Sequence, residues 1–145
     1  MNTFSAKLNG PLFGVLRWSD WDALLGQLKR QNESRWYAYA VGAEVPCEPL
    51  APEAFRATLF EIDDLLRREH DEAYLGIVYV DKPDGPSLVK IYDPNNLGAT
   101  CGSSGFKVQP GWVLSLDPPE AIDTDTLLPG NRKRWWNSLL GRFSA

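Results

Sequence analysis

One histidine, two cysteines and one methionine stand in a chain of 145 residues, and each scarcity closes a route to function. Cys47 and Cys101 are too few for the disulfide framework of a small extracellular domain. A zinc site would have to gather both cysteines, His70 and a carboxylate from distant points, without the short ligand spacing such sites use. There is no glycine-lysine-serine phosphate loop, and Asp93 with Asn95 and Asn96 lacks the spaced acids of a calcium loop. No metal and no cofactor is therefore expected. No run approaches the roughly 20 apolar residues of a membrane-spanning helix. From Met1 to Trp18 there is a single lysine, and Asn9, Gly10 and Pro11 interrupt the apolar stretches, which is a poor secretory signal. The expectation is a cytoplasmic protein with reduced cysteines.

What is present suits a folded domain. Hydrophobic residues make up 43% and charged residues 23%, with six Trp, five Tyr and six Phe to fill a core. The length is that of one ordinary domain. The net charge of −4 is unevenly spread. Four of the fifteen basic residues follow the last acid, Asp125, so eleven face nineteen acids before them: residues 1–131 carry −8 and the tail +4. An acidic body repels phosphate backbones and argues against nucleic acid as a partner.

Along the chain, Leu12 to Trp18 reads as a strand with Gly14 inside it. Ser19 opens a capping-box-like Ser-Asp-Trp-Asp, and Trp21, Leu24, Leu25 and Leu28 recur at helical spacing, predicting a helix over 20–31. Arg35 to Val41 alternates as a strand, and Gly42 to Pro52 is a loop. Pro52 suits a first helical turn, and Phe55, Leu59, Ile62 and Leu66 form one stripe of a second helix. Tyr74–Asp81 and Ser87–Asp93 are strands joined by a Pro-Asp-Gly turn, and Gly111–Asp117 is a last strand. The late strands lack crossover helices, which favours an antiparallel sheet. The fold class is α+β: a single domain of about five mostly antiparallel strands with two main helices packed on the sheet. That domain spans residues 1–128, and a C-terminal basic amphipathic segment spans 129–145.

Three features could carry function. The loop from Asp93 to Gly111, with Asn95, Asn96, Cys101, Ser103 and Ser104, is long for a compact domain. Its backbone N–H groups could face an anion, although no helix follows to add a dipole. A thiol-dependent enzyme would use Cys101 as nucleophile and His70 as base. His70, however, falls four residues after Leu66, at the end of the second helix, where the dipole favours an imidazolium. Asp63 and Asp64 point about 100° apart on a helix and do not face each other.

The tail is the second feature. Trp136, Leu139, Leu140 and Phe143 fall at helical spacing, with Arg132, Lys133, Arg134, Trp135 and Arg142 alongside. Such a segment can dock into a protein partner, lie weakly on a membrane surface, or fold back on its own acidic body. The third feature is a set of tyrosines, Tyr37, Tyr39, Tyr74, Tyr79 and Tyr92. If they share a sheet face that no helix covers, that face would hold a protein partner. No convergent catalytic set is visible. The expectation is a small non-enzymatic accessory or adaptor protein that binds a protein through its tail and the Asp93–Gly111 loop. A thiol enzyme and a peripheral membrane-surface protein are the alternatives.

Overall fold

The computed structural model describes residues 3–30, 35–94, 110–122 and 130–141, with the backbone alone at 130–133, 140 and 141. The elements are α1 (Thr3–Leu8), β1 (Phe13–Val15), α2 (Trp18–Lys29), β2 (Tyr37–Ala40) and α3 (Pro52–Glu69). They are followed by β3 (Val78–Val80), β4 (Leu88–Ile91), β5 (Trp112–Ser115) and α4 (Gly130–Gly141). The five strands form one antiparallel sheet in the order β1-β3-β4-β5-β2. The α+β architecture is as the alternation and the hairpin imply.

Side chains alternate across a strand, so each face collects one set. On one face Val15, Val78, Val80, Val89, Ile91, Trp112, Leu114, Ala38 and Ala40 meet the apolar stripes of α2 and α3. Trp36 stacks flat on Phe55, with ring centroids 5.3 Å apart. On the other face Leu88, Val113 and Tyr39 pack against Phe4 of α1. The two main helices are therefore joined by two more, and the sheet carries α1 on the side opposite α2 and α3. No helix of the described residues is long and apolar enough to cross a membrane.

Two local expectations need correction. Ser19 does not cap α2, because the helix begins at Trp18 with Arg17 extended at the N-cap and no side-chain cap bond. Asp22, expected to close that box, pairs instead with Arg67 of α3. The strand expected over Leu12–Trp18 stops at Val15. Trp18 is drawn into the helix, where its Nε1–H donates to the Glu72 carbonyl at 2.9 Å and Arg67 lies over its ring.

The β3–β4 hairpin is fastened by one carboxylate. Asp81 Oδ1 accepts the N–H groups of Ser87 at 2.9 Å and Leu88 at 3.0 Å, and Oδ2 accepts the Ser87 hydroxyl. Lys7 of α1 donates to Ser87 Oγ and Asp117 Oδ2, each at 2.7 Å. Partial burial pushes the Asp81 carboxyl up, but the three Ser87 and Leu88 hydrogen bonds and the Lys7 charge outweigh it, leaving the pKa lowered. A depressed folded-state pKa stabilises the fold above the ordinary carboxylate pKa, and that contribution is lost as pH falls through the folded value. Asp81→Asn is accordingly expected to destabilise the chain at pH 6. The gap to the wild type in urea unfolding should narrow below about pH 4. A gap independent of pH would show that the carboxylate charge has no part in fastening the hairpin.

Candidate protein-binding surface

Some of the sequence candidates fall among the described residues and some outside them. His70 caps α3, is buried, and places Nε2 2.7 Å from the Leu75 carbonyl oxygen. A carbonyl only accepts, so Nε2–H is the donor in this contact. The ring lies 6.2 Å from that of Trp18, in a structural junction between α2, α3 and the approach to β3. Cys101, Asn95, Asn96, Ser103 and Ser104 lie outside the described residues. Asp93, at the start of that loop, is buried beside Gly111, where an added Cβ would stand 3.0 Å from Asp93 Cβ. Cys47 is exposed. Among the described residues no group of three His, Cys, Asp or Glu side chains could hold a metal.

The tail forms a helix, and two residues of its apolar side, Trp136 and Leu139, are buried. Trp136 is 3% exposed and Leu139 0%, and both belong to the main core. Trp135 is half-buried, edge-to-face on Trp112 at 5.7 Å. Arg134 is exposed, as are Asn137 and Ser138. Arg132, Lys133 and Leu140 lie on α4 with their side chains outside the described set, and Phe143 lies outside the described residues. Trp136 and Leu139, two anchors of the expected partner contact, are thus covered by the chain's own core.

Exposed large apolar side chains among the described residues are Phe60 on α3, Tyr74 before β3, and Phe13 and Leu16 at the β1 edge of the sheet. Edge strands usually blunt their free backbone with charged residues. Leu12–Leu16, around β1, contains none. Phe13 is 51% exposed and Leu16 60%. Hydrogen bonds from Leu75 N–H to Leu16 O at 2.9 Å and from Gly76 N–H to Val15 O at 3.3 Å run inward, toward the lead-in to β3. At the opposite edge the chain after β2 returns to the residue just before it, Leu50 N–H donating to Trp36 O at 2.8 Å. Pairing also answers the question of the tyrosine face. Gly14, Tyr79, Lys90, Val113 and Tyr39 form one row across all five strands. Tyr39 is buried with Phe4, and its hydroxyl accepts the Ile122 N–H. Tyr79, Lys90 and Tyr92 are half-buried and Gly14 is exposed.

The Lys7–Ser87–Asp81–Asp117 cluster has the residue types of a hydrolytic site, but not its protonation logic. Lys7 is ion-paired to Asp117 at 2.7 Å, and the Ser87 hydroxyl donates to Asp81, whose lowered pKa makes it a weak base. It fastens α1 to the hairpin.

No family model, curated protein or solved structure matches this chain.

Proposed function

We propose that the chain is a small non-enzymatic accessory protein of the cytoplasm that binds an extended segment of a protein partner at the β1 edge. The observation that supports this most is the uncharged Leu12–Leu16 segment at the edge of the sheet, with Phe13 and Leu16 exposed. Main-chain pairing along such an edge supplies affinity, and alternate side chains supply specificity. Because β1 is only three residues long, Phe13 and Leu16 must contribute much of the contact. The tail keeps a smaller part in this reading, through Arg134 and its exposed neighbours, since Trp136 and Leu139 are committed to the core.

Selection of linear peptides from a random library on the full chain tests the proposal. The Phe13→Glu/Leu16→Glu double variant changes two exposed side chains and should melt close to the wild type. Selected peptides should lose at least about tenfold in affinity for it, a loss of about 1.4 kcal/mol. Peptides that bind both proteins equally, yet are lost on neutralising Arg132, Lys133 and Arg134, would move the site to α4 and overturn the edge assignment.

A further inference from the structure

Backbone direction singles out Gly14 at the open edge. Hydrogen-bonded and open pairs alternate along an antiparallel ladder. Tyr92 N–H donates to Ile77 O at 2.9 Å and Asp81 N–H to Leu88 O at 3.2 Å, so residues 77, 79 and 81 turn their backbone groups toward β4. Val78 and Val80 turn theirs toward β1, where they oppose Val15 and Phe13. Gly14, between those two, is left with its N–H and C=O directed away from the sheet. Among the described residues β3 is the only strand beside β1. An outward donor and acceptor on one residue are satisfied together by an identical residue in antiparallel register.

Twofold pairing centred on Gly14 matches the rest of the segment with itself. Phe13 falls opposite Val15 of the second copy, and Leu12 opposite its Leu16. Phe13 and Val15 lie on the face that carries α2 and α3, and Leu12, Gly14 and Leu16 on the face that carries α1. Apolar side chains therefore meet apolar ones on both faces. Pro11, opposite Arg17 of the second copy, has no N–H and ends the ladder. Charge also permits the approach here, although each copy carries −4. No acid precedes Asp20, and the only charged side chains before it are Lys7, paired with Asp117, and Arg17. The two Arg17 residues stand six positions apart along the ladder, roughly 20 Å, well beyond a Debye length of about 8 Å.

Resting on the reading of β1 as the docking edge, we infer that in the free protein this edge is taken by a second copy of the chain, in a twofold antiparallel pair centred on Gly14. Two five-stranded sheets then join edge to edge, and a partner segment must displace the copy to bind. Only Phe13 and Leu16 add large exposed side chains, so the contact falls at the small end of specific interfaces and the pair is weak.

Sedimentation velocity of the full chain from about 10 µM to about 1 mM should show a monomer giving way to a dimer. The Phe13→Glu/Leu16→Glu variant should stay monomeric throughout, and excess library-selected peptide should dissociate the wild-type dimer. Crosslinking in a Cys47→Ser/Cys101→Ser background reads the register. Gly14→Cys should join its counterpart at least about tenfold faster than Arg17→Cys, because opposed residues stand about 5.5 Å apart at Cα. The added Cβ at Gly14 comes no closer than 3.3 Å, to the movable end of Leu16. Melting curves confirm that each variant is folded. A monomer at every concentration would overturn the inference, and selected peptides that still required Phe13 and Leu16 would keep the docking edge. A dimer that survives the double variant, or faster crosslinking through Arg17→Cys, would overturn the pair centred on Gly14. A dimer lost in the double variant, with no selected peptide bound, would support the pair and remove the partner reading.

Discussion

Alanine at Trp136 should cost the fold about 3–5 kcal/mol, and alanine at Leu139 about 2–5 kcal/mol. Trp136 and Leu139 come from the C-terminal helix yet sit in the same cluster as Trp112 and Leu114 of the interior strand β5. Truncation leaves a cavity that neighbours on a rigid sheet cannot close, so the transfer and cavity terms add. Domains of this size have about 5–15 kcal/mol in total, so either change removes a large part of it. Ending the chain before Gly130 also uncovers Trp112, which Trp135 meets edge-to-face. The shortened chain should lose its cooperative transition. Urea unfolding checks this, with Asn137→Ala at an exposed position of the same helix as a control expected to stay within about 0.5 kcal/mol. A Trp136→Ala variant as stable as the control would show that α4 is not part of the folded core.

Trp21→Ala should be comparably severe, at about 3–5 kcal/mol. Its side chain is fully buried between α2 and α3, and its Nε1–H donates to Asp63 Oδ1 at 2.8 Å. The same oxygen accepts Arg67 Nε at 2.8 Å, and Arg67 also reaches Asp22 and covers Trp18. One apolar ring and one carboxylate thus join the two helices. Asp63 keeps Arg67 when the indole is lost, so the penalty is mainly one of packing. Trp21→Phe fills most of the volume without the donor and should fall between the wild type and Trp21→Ala in thermal unfolding. Equal losses in both variants would mean that the hydrogen bond, rather than the ring volume, dominates.

The parts legible in the sequence were those set by local chemistry. Pro52 with the Phe55, Leu59, Ile62 and Leu66 stripe specifies α3 because a long periodic face has one way to bury itself. The Pro-Asp-Gly turn between two alternating runs specifies the β3–β4 hairpin. Helix α1 was hidden, since six residues are too few to show a period and its anchors lie far along the chain. Lys7 is held by Ser87 and Asp117, and Phe4 is buried only by strands that come later. The pattern of the tail was readable but its destination was not: Trp136 and Leu139 suit a partner's groove and the chain's own core equally well until the core is placed. Likewise, alternation sends Lys90 and Tyr79 to one side of their strands. Only the strand order puts Gly14 and an open edge beside them.

The most direct test of β1 as the docking edge is an amide NMR titration of the full chain with a peptide selected from the random library. The largest shift changes should fall on Leu12 to Arg17, extend to Tyr79 and Lys90, and leave α4 unmoved. Changes confined to α4, or spread over the face of α3 that bears the exposed Phe60, would contradict it.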